Sequence, residues 1–120
     1  MPKILVFKTE ISSFLNAKQL IDDPILCHAL GIDASLYQMT PKLVVKAKNL
    51  EEIQKIILAA NKHQVTITFR AAGTSLSGQA VTDSVLVVLT PGTWQQYQIH
   101  NKGEYITLQP GIIGSYANRL

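Results

Sequence analysis

The chain has 120 residues, 47% of them hydrophobic and 16% charged, with 7 Gly and 5 Pro, which bounds one domain with a modest core and excludes a disordered polymer. Its net charge of +3 comes from Lys and Arg scattered singly rather than gathered in a stripe, an arrangement that argues against nucleic acid as a partner. The only cysteine, Cys27, excludes an internal disulfide or a cysteine-rich metal site and reads as a buried inert thiol.

The apolar patch from Ile4 to Phe7 is too short for a secretory signal core. No stretch approaches the roughly 20 apolar residues of a membrane span. The expected location is cytoplasmic, or peripheral at the inner membrane through regions outside this sequence. Residues 1–40 read as a lead-in rather than as core. Within them, Ser12 or Ser13 is expected to cap a short helix through Phe14, Leu15, Leu20 and Ile21, stopped by Asp22-Asp23-Pro24. Residues 25–37 carry mixed signals and are assigned no single element.

From Pro41 the pattern sharpens. Leu43, Val44 and Val45 form a β-branched run suited to a buried strand. Asn49 is a good helix cap, with Glu51 and Glu52 in the first turn complementing the helix dipole. Leu50, Ile53, Ile56, Ile57 and Ala60 then follow helical spacing, ending near residues 61–63. Residues 65–69 predict a second strand, so the unit is strand–helix–strand, with a right-handed crossover if the strands are parallel neighbours. A loop over residues 70–80 leads to a third apolar strand, 85–89. After the turn at Thr90-Pro91-Gly92, strands 95–100 and 105–109 form a hairpin around Asn101-Lys102-Gly103. Pro110-Gly111 breaks the second of them. Residues 112–120 look like a helix just begun, an unfinished amphipathic element that suggests a fragment.

The informative stretch is Arg70-Ala71-Ala72-Gly73-Thr74-Ser75-Leu76-Ser77-Gly78-Gln79-Ala80. Small residues let main-chain N–H groups converge on an anion, and hydroxyls add donors of their own. It is neither a Walker A motif, lacking Gly-Lys-Ser/Thr, nor a dinucleotide GxGxxG, since Gly73 and Gly78 are wrongly spaced. On the residues alone, a phosphate site and a plain surface turn stand as equal alternatives.

This run resembles the flavin diphosphate loop of the vanillyl-alcohol-oxidase type, or PCMH-type, FAD-binding family. Within that family it is similar to the loop of glycolate oxidase FAD subunits and D-lactate dehydrogenases. Pro41 to Val45 before the Glu-Glu helix, the 85–89 strand and Gln109-Pro110-Gly111 match in the family's order. Ile32-Asp33-Ala34-Ser35-Leu36-Tyr37 followed by Pro41 resembles the lead-in of large dehydrogenases that fuse this module to an iron–sulfur module.

The resemblance implies an α/β (α+β) fold, with an N-terminal βαβ subdomain and the start of a second one. Residues 1–40 would be a lead-in, and 41–120 a truncated FAD-binding domain. It implies FAD cradled by Ala71, Ala72, Gly73, Thr74 and Ser75, with Gly78 and Gln79 further along the cofactor and Pro110 and Gly111 passing close to it. Some relatives carry a flavin-linking histidine where this chain has Thr74, so non-covalent FAD is implied. A second departure is Ala47, where many relatives have proline.

The implied chemistry is oxidation of a 2-hydroxy acid such as D-lactate or glycolate, with electrons passing to an acceptor such as a quinone. An iron–sulfur cluster would belong to a C-terminal region outside this sequence. The residues that handle substrate lie beyond Leu120 in the family, so none is named as catalytic. A non-catalytic nucleotide- or phosphate-binding βαβ domain, or a plain structural domain, is the competing reading.

Other candidates have structural readings. His28, His63 and His100 lack metal-ligand spacing to one another. Asp22 and Asp23 read as a solvated helix end, and Trp94 and Tyr97 as cover for the core edge. Tyr37 reads as packing more than cofactor contact. Arg70 reads either as a cation assisting the diphosphate or as half of a structural salt bridge.

Overall fold

The computed structural model describes residues 2–120. Its main sheet comprises β1 (Leu20–Ile21), β2 (Leu43–Ala47), β3 (Ile67–Arg70) and β4 (Val85–Leu89), in spatial order β1-β2-β4-β3. β2, β4 and β3 run parallel, whereas β1 lies antiparallel against β2.

Alternation along the strands divides the core in two. Leu43, Val45 and Ala47 of β2 and Val85 and Val87 of β4 face one side; Val44, Leu86 and Val88 face the other. Both sides are covered, as an apolar parallel sheet requires. The first side is packed by α1 (Lys3–Ile11) and α3 (Leu50–Lys62), the second by α2 (Pro24–Ala29) through Cys27, with Leu30 just after it.

Helix α3 begins where the sequence places it, with Asn49 Oδ1 accepting the Glu52 amide at 2.9 Å. Its inward face is Ile53, Ile56, Ala59 and Ala60, while Leu50 and Ile57 are 59% and 45% exposed. The expected face is therefore turned by part of a residue step, toward Ala59 and away from Leu50 and Ile57. The strand–helix–strand unit is also present, but β2 and β3 are not neighbours. The most apolar strand, β4, lies between them and pairs on both edges. β3 takes the edge, where Phe69 can stay exposed.

The expectation that residues 1–40 lie outside the core does not hold. Phe7, Ile11 and Leu15 are buried in the same cluster as β2 and β4. The helix runs before Ser12 and Ser13, not after them. Both hydroxyls donate backwards to helical carbonyls, Ser12 Oγ to Lys8 at 2.7 Å and Ser13 Oγ to Glu10 at 2.7 Å. Asp22-Asp23-Pro24 starts a helix rather than stopping one, since Asp23 Oδ1 caps the Ile25 amide at 2.8 Å with Pro24 in the first turn.

Beyond the sheet, β5 (Tyr97–His100) and β6 (Tyr105–Leu108) form the expected hairpin. It turns through Asn101 and Lys102 at φ 49° and 58°, and the His100 and Tyr105 rings stack at 4.6 Å. The expected terminal helix is the single turn α4 (Gly114–Ala117).

Candidate functional site

The parallel strands end together at Ala47, Arg70 and Leu89, so the segments that follow them share one edge of the sheet. In open α/β sheets, ligands bind outside this carboxyl edge. The small-residue loop leaves β3 there. Its residues are exposed or half-exposed as far as Gln79, and Ala80 is buried.

Among the described residues, the amides of residues 71–76 make no main-chain or side-chain hydrogen bond within the chain. The second half of the loop is different. Ser77 N donates to Gln79 Oε1 at 3.1 Å, Ala80 N to Asp33 Oδ2 at 3.4 Å and Val81 N to Gly78 O at 3.3 Å. Gln79 is thus engaged by its own loop, while the main chain at Ala71, Ala72, Gly73, Thr74 and Ser75 is free to donate. Gly73 at φ +71° and Gly78 at φ +84° hold left-handed conformations that other residues resist.

Arg70, the last residue of β3, is half-buried. Its Nη1 donates to the carbonyls of Ile32 and of Leu30, the latter at 3.3 Å. Among the described residues it has no carboxylate partner within ion-pair distance. Of the two readings of Arg70, the salt bridge is not formed among the described residues, and its bonds go to main-chain oxygens. The remainder of the guanidinium lies under the loop, where a Cβ built on Gly73 would meet Nη2 at 2.3 Å. Tyr37 is mostly exposed, with its ring edge 3.0 Å from the place a Gly78 side chain would occupy.

A second segment reaches the same edge through Trp94, which is buried. Its Nε1 donates to Ala47 O at 2.9 Å, and its own carbonyl accepts the Gly111 amide at 2.8 Å. Pro110-Gly111 is therefore hung from the end of β2. The ends of β2 and β3 are separated by β4, two strand spacings or about 10 Å. At the end of β4 itself, Thr90 Oγ1 is buried without a hydrogen-bond partner. Such a hydroxyl is a donor in need of an acceptor. Sequence reading passed over it, and only its burial marks it.

The remaining candidates are structural. Asp22 pairs with Lys8 and Asp23 caps α2. Glu10 joins α1 to the end of α3, accepting from Lys62 Nζ at 2.9 Å and lying 3.2 Å from His63 Nε2. Burial pushes the Cys27 thiol up, aided by the nearby carboxylates of Asp22 and Asp23, so it is a poor nucleophile. No cluster of metal-ligating side chains exists among the described residues. A groove of about 530 Å³ lies between the hairpin and the last helical turn, lined by Ile99, Tyr105 and Leu120 among others, with no residue of the loop in it. Among the described residues, no helix is long and apolar enough to cross a membrane.

Residues 41–120 match the family described as "FAD binding domain". The chain belongs to this family. The FAD-binding domain is 35% identical over 78 residues to glycolate oxidase subunit GlcD of Bacillus subtilis, covering 64% of this chain and 17% of the relative. It is 24% identical over 94 residues to D-2-hydroxyglutarate dehydrogenase of Haemophilus influenzae, covering 76% of this chain and 9% of the relative. The chain thus spans under a fifth of the length of either.

Among solved structures it resembles p-cresol methylhydroxylase with a TM-score of 0.79 at 13% identity, over 98% of this chain and 24% of that one. It likewise resembles alkyldihydroxyacetonephosphate synthase, with a TM-score of 0.77 at 20% identity over 96% of this chain and 24% of that one. These likenesses establish the PCMH-type FAD-binding fold, with mixed helix and strand.

Proposed function

We propose that the chain is the FAD-binding part of a flavin-dependent dehydrogenase oxidising a 2-hydroxy acid such as D-lactate or glycolate. The loop of residues 71–75 would hold the diphosphate of FAD through main-chain amides and the Thr74 and Ser75 hydroxyls. Gly78 and Gln79 would flank the cofactor further along, and Pro110-Gly111 would border it from the end of β2. The observation that carries this reading is the run of uncommitted amides from 71 to 76, at the carboxyl edge of a sheet in a chain of the FAD-binding family. Two matched relatives, named for glycolate and for D-2-hydroxyglutarate, both act on 2-hydroxy acids and support the substrate class.

The residues fit the group. An anion needs donors that are desolvated cheaply and close together, and a loop of Ala, Gly, Thr and Ser offers main-chain N–H without side-chain obstruction. When bound, the isoalloxazine supplies the hydride acceptor, while the protein binds and orients it. A threonine at position 74 has no imidazole to bond the flavin, so the cofactor is held non-covalently. Electron transfer onward to a quinone, and an iron–sulfur module in another part of the protein, belong to the same proposal. A cysteine-rich segment in the remaining sequence supports that last element, and its absence removes it.

The test is the visible spectrum of the full chain before and after acid precipitation. Flavin bands that bleach on adding D-lactate or glycolate, with all flavin free in the acid supernatant, are expected. A colourless full chain that binds other nucleotides instead refutes the proposal. Flavin retained on the precipitate refutes the non-covalent attachment.

A further inference from the structure

The diphosphate loop has no internal bonding to hold its receiving half in shape. Each residue left loose loses backbone entropy when a ligand orders it, and that loss weakens binding. Something outside the loop must restrain it, and one neighbouring segment does so. Residues 31–39 close on themselves, with Met39 N donating to Gly31 O at 3.0 Å and Ile32 bridged to Gln38. This closed loop touches the diphosphate loop at its beginning and at two places toward its end.

At the beginning, Arg70 Nη1 holds the carbonyls of Leu30 and Ile32, with the rest of the guanidinium against Gly73. Two residues before the end, the Tyr37 ring lies against Gly78. At the end, Asp33 Oδ2 takes the Ala80 amide while Oδ1 takes the Ser35 amide at 2.8 Å. Ser35 Oγ in turn accepts Tyr37 N at 3.1 Å, which links the last two contacts. Both ends of the diphosphate loop are therefore tied to one closed segment. That segment lies before residue 41, outside the stretch matched to the family.

We propose that Arg70 and Asp33 are positioning residues that tie residues 71–80 to the closed 31–39 loop and so hold the amides ready for the cofactor. The inference rests on the reading of FAD binding given above. Arg70 acts through its hold on two carbonyls, not through its charge on a phosphate. A lysine cannot reproduce that arrangement, because both bonds leave Nη1 while Nε, Cζ and Nη2 lie against Gly73, and a single ammonium has no planar body to lie under the loop. Asp33 stays ionised at working pH, since the Ser35 bonds foremost, with smaller help from the Ala80 amide and Arg70, hold its carboxyl below the usual aspartate range.

The experiment titrates FAD into the full-length apoprotein, as wild type and as Arg70→Lys, Arg70→Ala, Asp33→Asn and Asp33→Ala. It is run at low salt and at about 1 M salt, where screening acts within roughly 3 Å. Positioning predicts that Arg70→Lys and Arg70→Ala weaken FAD alike, by about tenfold, at both salt concentrations. Asp33→Ala weakens it similarly, and Asp33→Asn, which keeps one acceptor, falls between Asp33→Ala and wild type.

The two conservative variants decide the matter if an alanine variant does not fold. Arg70→Lys binding FAD as wild type does overturns the proposal, and so does a defect in Arg70→Ala that disappears at high salt. Flavin binding unchanged in all variants overturns the tie alone and leaves the function standing. A wild-type full chain without affinity for FAD overturns the function, and the tie's role with it.

Discussion

Two glycines three residues apart should answer the same substitution with opposite signs. A Cβ on Gly111 would lie 2.4 Å from Trp94 O and 2.9 Å from its carbonyl carbon, main-chain atoms that cannot swing away. Relief requires a shift of about 1 Å, since ordinary contacts begin near 3.4 Å, and it stretches the 2.8 Å bond from the Gly111 amide to that same oxygen. Overpacking costs about 1–3 kcal/mol and the strained hydrogen bond about 1 kcal/mol more, so Gly111→Ala should destabilise by about 2–4 kcal/mol. Trp94 cannot yield easily because its indole is tied to Ala47.

Gly114 has nothing within 4 Å of the added atom and begins a helical turn. There alanine restricts the unfolded chain without a clash, and Gly114→Ala should stabilise by about 0.5 kcal/mol. Urea unfolding of the full chain, followed by circular dichroism, measures both. Equal stability of Gly111→Ala and wild type, or equal loss in the two variants, would refute the steric argument. Flavin affinity should fall in Gly111→Ala and stay level in Gly114→Ala.

Phe7 is fully buried in the main cluster, so Phe7→Ala should cost about 3–5 kcal/mol in the same urea assay, whereas a residue outside the core would cost almost nothing. Thr90→Val removes a buried unpartnered hydroxyl; the apoprotein should gain about 1 kcal/mol while FAD binds more weakly, and unchanged FAD affinity would leave Thr90 with no part in the site. Glu10 and Asp22 both tether α1, and their carboxyls are held below the usual range, Glu10 first by its bond from Lys62 and Asp22 first by its bond from Lys8. Stability from such groups is complete above the unfolded values of 4.5 and 3.8 and is lost as pH falls through the lower folded ones. The urea midpoint should therefore decline only below about pH 4.5, and Glu10→Gln should flatten that decline while lowering the midpoint at pH 7.

Local signals were legible wherever one residue type permits one local geometry. Asn49 followed by two glutamates and a 3.6-residue apolar period marked α3, and the Asn101-Lys102-Gly103 turn between β-rich runs marked the hairpin. Signals that serve two geometries were not. A serine hydroxyl both donates and accepts, so Ser12 and Ser13 read as an N-terminal cap although they close the end of α1. Asp-Pro likewise reads as a stop although it begins α2. Helix α1 itself has no side-chain cap and buries only Phe7 and Ile11 among its residues, too sparse a pattern to announce a helix.

The family, the strand–helix–strand unit and the small-residue loop after β3 were legible in the residue order alone, because they depend on residues adjacent in the chain. Tertiary structure decided the insertion of β4 between β2 and β3, the partners of Arg70, the seat of Pro110-Gly111 against Trp94 and the burial of Thr90 Oγ1. Each of these joins residues far apart along the chain, and their pairing follows from which strand can bury both edges and which carbonyls remain free, quantities that exist only once the sheet has closed.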